Sequence, residues 1–389
     1  MGLSLAKSQG NIKEQSAALA QLSWIKWSTG DYITAQDYGQ EAQKLAKMSG
    51  DLHTEAQGLY TEALCCQTLG HFRECIFLVR RASTLLELCG FLQGDRAYNL
   101  ITCQAEVHTL KSEYTHTCNL HRQLLQTYQG GQLYYEGLSL MNIAAVEVSI
   151  GVPYNMIQEK IGASQTIFKK IGHKMMLTAC DIIQADLNLR EGDMTCSLFC
   201  KCLKFGLGRF SEIVSYCLER LADITRWGRH HDHSWSTVLL AHSLKAKEKL
   251  GIHKALQFIG DVHLMDNDEL TTISLFTVAL EGFTNMDVHR SRAECMIQLG
   301  DIAKKNGDLL KALELWETAR PLFERSSQAK RVQDIDERAS DISEEVKEQH
   351  QKNLARLAGH NVPAGKVEKV DSDPEEFELE EEQVELIVA

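Results

Sequence analysis

The densest cluster of titratable side chains in the sequence is His230, His231, Asp232 and His233. Histidines beside a carboxylate are the groups that bind zinc or relay protons. A zinc site would also show a second ligand set at a recognised spacing, such as H-E-x-x-H or paired C-x-x-C, and none is present. The cluster falls where a turn between helices is expected, so it reads as an exposed loop. Cys196, Cys200 and Cys202 form a second group. Cys196 and Cys200 are four apart and share one helical face, whereas Cys202 points elsewhere, and a fourth ligand is missing. The spacing reads as buried helix packing. A Cys–His nucleophile pair stays open, but nothing in the spacing selects one of the 12 cysteines. No G-x-x-x-x-G-K-[ST] occurs, and Gly206-Leu207-Gly208-Arg209 is too short for a dinucleotide fingerprint. These residue types assign no catalytic group, cofactor or metal.

Composition narrows the class further. The chain has 389 residues, 44% of them hydrophobic and 24% charged, an ordinary globular balance. Its 4 prolines leave room for helix almost throughout. Alternating strand patterns with two-residue turns are nearly absent. The net charge of −12 disfavours a non-specific nucleic-acid binder. Residues 359–389 carry −8 of it, which leaves the rest near neutral. No apolar run approaches the roughly 18 residues of a membrane span, so no membrane contact is expected. No signal peptide or Asn-x-Ser/Thr acceptor is evident, and Ala6 stands where a myristoylation signal has Ser or Thr. Cys65, Cys66, Cys75, Cys103 and Cys180 sit inside helical patterns and read as reduced core residues of a cytoplasmic protein.

The elements that must position any site are punctuated by glycine. One series falls at Gly10, Gly50, Gly90, Gly130, Gly172, Gly208 and Gly251, and a second at Gly30, Gly70, Gly151, Gly192 and Gly307. Within each the step is close to 40 residues, and together they cut the chain into segments of about 20. Glycine favours the left-handed backbone that ends a helix. The unit is therefore an αα-hairpin repeated about eight times. Three columns support it. Seven residues before each second-series turn stand Ser23, Ala63, Ala105, Ala144, Ala185, Ala222, Gly260 and Gly300. Eleven before it stand Leu19, Leu59, Ile101, Leu140, Asp181, Leu218, Leu256 and Met296, with Ile182 a substitute for Asp181. Twelve after it stand Ala42, Ala82, Leu124, Ala163, Lys204, Ala241, Ala279 and Ala319, with Lys204 the misfit. Small residues at matching places let paired helices approach, and large ones fill the layer between hairpins.

These columns resemble the tetratricopeptide repeat. The last unit carries Leu299-Gly300, Gly307-Asp308-Leu309, Ala312, Trp316, Ala319 and Pro321, and the first carries Gly30-Asp31-Tyr32, Ala35 and Ala42. The period exceeds that family's 34 residues and is similar to the MalT-like and kinesin-light-chain-like variants. Residues 185–193, 216–223, 286–295 and 318–330 resemble tetratricopeptide proteins of mushroom-forming fungi, where such arrays follow a STAND-type, NLR-like nucleotide-binding domain. The resemblance implies an all-α, right-handed superhelical solenoid and a sensor or interaction array. It also implies that the first-helix face lines a concave groove. On that face, six residues before each turn, lie Trp24, Leu64, Glu106, Ala145, Asp186, Asp223, Asp261 and Asp301.

The expected organisation is an array over 1–327 that starts mid-repeat, a capping helix within 328–358 and a disordered acidic tail over 359–389. Leu5 to Asn11 parallels Leu45 to Asp51, the end of a second helix, which suggests a truncated first unit. The expected function is a non-catalytic scaffold or adaptor that binds a protein, peptide or helix in the groove. Glu106, Asp186, Asp223, Asp261 and Asp301 would offer an acidic stripe to a basic partner, with Trp24 and Trp27 as aromatic anchors. The competing view of the stripe is local pairing of Asp186 with Arg190, Asp223 with Arg226 and Asp301 with Lys304 or Lys305. Two alternative functions are the detached sensor half of a STAND-type ATPase, with that domain as partner, and an enzyme on an α-solenoid, which would need paired carboxylates or metal ligands in a cavity.

Overall fold

The computed structural model describes residues 2–351 except 93, 193–195, 209, 227–231, 343, 345 and 349–350. The described residues before 343 form one compact unit, and the chain divides from a second unit after that point. The acidic tail and most of the second unit lie outside the described residues, as do His230 and His231.

The described part of the first unit is helical, and each helix packs on the next in sequence. After α1 (Gly2–Ser8) come eight hairpins. They pair α2 (Ile12–Ser28) with α3 (Tyr32–Ser49), α4 (Leu52–Thr68) with α5 (Phe72–Leu88), α6 (Asp95–Leu110) with α7 (Tyr114–Tyr128), and α8 (Leu133–Ile150) with α9 (Tyr154–Lys170). Then α10 (Lys174–Arg190) pairs with α11 (Cys196–Gly206), α12 (Ser211–Arg226) with α13 (Ser234–Ala246), α14 (Lys249–Met265) with α15 (Glu269–Met286), and α16 (His289–Lys305) with α17 (Leu309–Arg325). The helix α18 (Ala329–Ser340) lies in the region expected to cap the array and packs on α17. Among the described residues no helix is long and apolar enough to cross a membrane.

The helices start and stop where the local chemistry says. Asn11, Asp31, Asp51, Asp268 and Asp308 each accept the backbone N–H three residues on, which satisfies a donor that the helix itself leaves free. The glycine turns adopt the left-handed conformation, as at Gly50 (φ 67°) and Gly151 (φ 77°). Where the two glycine series have gaps, Ser112, Asn267, Asp287 and Ser327 take that backbone instead. One turn differs from expectation. Gly251 is inside α14, and the left-handed residue of that turn is Lys247 (φ 57°).

All eight small residues of the first column are buried. An ideal Cβ on Gly260 would stand 3.0 Å from Phe276, and one on Gly300 only 2.5 Å from Trp316 Nε1. Ile182 enters the core in place of the half-buried Asp181. The third column needs a correction, because Ala163, Lys204 and Ala241 are exposed. The turn before α9 is one residue longer, with Val152 and Pro153 following Gly151, so the buried small residue slides to Ser164. In α11 it is Gly206 and in α13 Ser243. The position is fixed by distance from the helix start and not from the glycine.

The columns contain no sign of a further feature: the array closes on itself. The α4–α5 turn meets the seventh hairpin, with Gly70 against Met286 and His71 Nε2 3.2 Å from Lys249 Nζ. The α6–α7 turn meets the eighth, where the His289 N–H donates to the Lys111 carbonyl at 3.1 Å. Lys111 Nζ lies 2.8 Å from Glu113 and 3.1 Å from Asp287, and His289 Nε2 lies 3.2 Å from Glu113. Burial opposes ionisation of Glu113, yet hydrogen bonds from His108, His289 and Lys111 hold its carboxyl well below the usual range. The last turn of α8 meets the start of α18, through Gln328 Nε2 donating to the Ser149 carbonyl at 3.1 Å. Each contact joins one hairpin to a place five hairpins along. The core follows this seam, because Phe276, Phe283 and Met286 share an apolar cluster with α4, α5 and α6.

Two outcomes are expected. Gly300→Ala should destabilise the protein by about 1–3 kcal/mol in denaturant melts, because the Trp316 ring has no slack. His121 on α7 is buried, and burial lowers its pKa to about 4. A buried neutral histidine contributes stability that is complete above its unfolded pKa near 6.5 and is lost as pH falls toward 4. Melts across that window should show a loss in the wild type that His121→Leu flattens.

Candidate functional site

First helices of successive hairpins approach one another, as α2 does α4, α4 does α6, α8 does α10 and α12 does α14. Among the described residues the second helices make no comparable set of contacts. The first helices therefore line the inner side of the array, and the column from Trp24 to Asp301 lies on it. Two groups of polar side chains occur there.

The first is a cavity of about 190 Å³ between α2, α4 and α6. Trp27, Tyr60, Leu64, Gln67, Thr102 and Glu106 are among the residues that line it. Trp24 stands outside it, 44% exposed, with its ring centroid 5.0 Å from Trp27 and 6.3 Å from Tyr60. Gln67 Nε2 donates to Glu106 at 3.1 Å, and Cys103 Sγ donates to Gln67 Oε1 at 3.6 Å. The Trp27 indole N–H is buried and has no acceptor within reach. The structure thus brings Trp24, Trp27 and Glu106 together.

The second group is a charged row across α10, α12, α14 and α16. The Tyr216 hydroxyl donates to Asp186, and Arg220 lies 3.8 Å from Asp186, 3.6 Å from Asp223 and 2.8 Å from Glu219. Lys254 closes on Glu219 at 2.6 Å. Arg226 bonds Asp223 at 2.5 Å and also Asp261, while its guanidinium lies 4.1 Å from the centre of the Phe258 ring. Gln257 and Arg290 both donate to Glu294, at 3.1 and 3.0 Å. Burial is the largest influence on every one of these carboxyls. At Asp186 and Asp261 it prevails, and it pushes Asp261 up to about 7. At Glu219, Asp223 and Glu294 the adjacent cations outweigh it and lower the pKa.

The acidic stripe is therefore matched by cations. Asp186 and Asp223 share Arg220, and Asp223 and Asp261 share Arg226. Asp301 stands apart, bound to Arg338 of α18 at 3.1 Å. Of the local pairings expected, Asp223 with Arg226 forms. Arg190 instead bonds Glu191 and the Val152 carbonyl, and Lys304 and Lys305 face Asp341 and Glu269. Arg220, Arg290, Lys254, Glu219 and Glu294 escaped the sequence reading. They fall one to three helical turns before the column, a spacing that would have found them.

Among the described residues, two groups have ligand spacing for a metal ion. In Cys66, His71 and Glu74, burial pushes the thiol up, which opposes the thiolate a metal needs. In Glu113, Asp287 and His289, the Lys111 ammonium already stands between the carboxylates. The packing reading of α11 holds for Cys202, which is buried, and for Cys196, which is half-buried against the same cluster. Phe199, Cys202, Leu203 and Gly206 form its buried face, and Cys200 is exposed. Asp232 accepts from the Ser234 N–H at the start of α13.

No protein-family model matches the sequence, and no curated protein does. Among solved structures the chain is similar to a Rap protein complexed with competence and sporulation factor. The identity is 11% over 87% of this chain and 99% of that one, with a TM-score of 0.51. A likeness at that identity is one of fold, and it agrees with the all-α solenoid of stacked hairpins described above.

Arg226→Met should strip Asp223 and Asp261 of a shared cation inside the array. The expected cost is about 3–5 kcal/mol in denaturant melts, as for a broken buried pair. Adding Asp261→Asn should recover part of it, because a neutral amide needs no counter-charge.

Proposed function

We propose that the chain is a non-catalytic protein-binding scaffold whose inner, first-helix face holds an extended polypeptide segment. The observation that carries this reading is the contrast between the two kinds of surface. The layers between hairpins are mostly apolar, with isolated buried polar pairs such as Glu62 with Gln40 and Gln43, whereas the inner face keeps a connected row of charges, part of which stays reachable by solvent. Arg220, Asp223 and Arg290 are 26%, 29% and 39% exposed. Alternating guanidinium and carboxylate groups match the carbonyls and N–H groups of an extended chain, and they select by pattern because their own charges nearly cancel. The similar Rap protein was solved with competence and sporulation factor bound, so a solenoid of this kind has room for a ligand.

The test uses the full chain and a displayed library of linear peptides. Enriched peptides should protect the first helices α4 to α12 from hydrogen exchange and leave their second helices unchanged. Protection confined to second helices, or no enrichment at all, would count against the reading.

A further inference from the structure

We propose that Cys75 and Cys103 are a thiol pair that a hydroperoxide closes into a disulfide, joining the second hairpin to the third and releasing Gln67 at the inner face. Sequence spacing singles out none of the 12 cysteines. The packing of α5 on α6 singles out these two.

Geometry comes first. The two sulfurs lie 3.8 Å apart, inside the apolar core shared by α4, α5 and α6. Rotation of the two side chains has only to bring them to the roughly 2.0 Å of an S–S bond. Access comes next. Cys103 also lines the cavity beside Trp27, whereas Cys75 has no exposed surface. The cavity holds about 190 Å³, against the roughly 15 Å³ that admits one water, so a small hydroperoxide fits. Cys103 therefore meets the oxidant and Cys75 resolves it. The Cys103 sulfur takes one peroxide oxygen as the O–O bond breaks, and the thiol proton leaves with the other oxygen as water or an alcohol. The Cys75 sulfur then displaces hydroxide from the sulfenic acid, and that hydroxide departs with the Cys75 proton as water. Two thiols lose two electrons and the peroxide gains them. The hydrogen bond with Cys75 and burial push the Cys103 thiol up, so the pair answers sustained oxidant and not a brief pulse.

The consequence reaches the inner face through Gln67. In the reduced state Cys103 Sγ donates to Gln67 Oε1 at 3.6 Å, while Gln67 Nε2 donates to Glu106 at 3.1 Å. A disulfide sulfur has no proton to give, so closure removes one of the two bonds that orient the amide. The new bond also spans the layer between two hairpins and closes a loop across 28 positions, which constrains the unfolded chain and stabilises the fold.

The experiment holds the folded full chain in hydrogen peroxide, blocks the remaining thiols, then unfolds and digests it with trypsin. Peptide 74–80 carries Cys75 and peptide 97–111 carries Cys103, neither with a second cysteine. The two should appear linked, lighter than their sum by two hydrogens, and separate on adding a reductant. The melting temperature should rise with the link and fall back on reduction. The Gln67 side-chain amide resonances should shift in the wild type and stay in place in Cys75→Ala, or in Cys75→Ser if the alanine variant folds poorly. Oxidation of the exposed Cys200 with both peptides recovered as free thiols would overturn the proposal. So would Cys103 linked to Cys66, or Cys103 accumulating as sulfinic acid with no link. A link that leaves the Gln67 resonances unmoved would overturn its coupling to the inner face. None of these readings depends on a polypeptide partner.

Discussion

The close approach of two helices at one small residue is the contact on which the rest of the structure depends. At Gly300 the facing Trp316 ring leaves no room for even a methyl group. The same distance is held by alanine or serine in six other hairpins and by Gly260 against Phe276 in the remaining one. Each hairpin is thereby a unit of nearly fixed geometry. A stack of such units has a fixed rotation per repeat, and that rotation decides whether distant repeats ever touch.

In this chain they do. Simple solenoids contact only their neighbours, so their stability is a sum of local terms. The seam adds contacts between residues nearly two hundred positions apart, among them Lys111 with Asp287 and Gln328 with Ser149. It is polar where turns meet and apolar where Met286 lies against Gly70. Lys111 bridges Glu113 and Asp287 there, 2.8 Å from one and 3.1 Å from the other. Closure also explains the burial of the inner side chains. First helices already converge on the concave side, and closing the turn surrounds them with more protein.

That enclosure sets the chemistry of the inner face. A carboxylate held among protein groups is costly unless a cation or hydrogen-bond donor accompanies it. The row from Asp186 to Glu294 meets the requirement with Arg220, Arg226, Lys254 and Arg290. The cavity beside Trp27 meets it through Gln67 and by leaving Glu106 in contact with water.

The sequence alone determined the repeat, the number of hairpins and the small column, because these rest on contacts local in the chain and on the backbone demands of turns. The repeat register also put Trp24, Glu106 and the four aspartates at equivalent positions of their first helices, since that follows from the period of the repeat. The tertiary structure decided the rest. The third column slid at Ser164, Gly206 and Ser243 because helix starts, not turn glycines, set the facing register. Arg338 rather than Lys304 answers Asp301, and Arg220 rather than Arg190 answers Asp186, because a long guanidinium side chain reaches the next hairpin as easily as its own helix. The seam was invisible in the sequence, since it depends on a rotation summed over five hairpins and not on any motif.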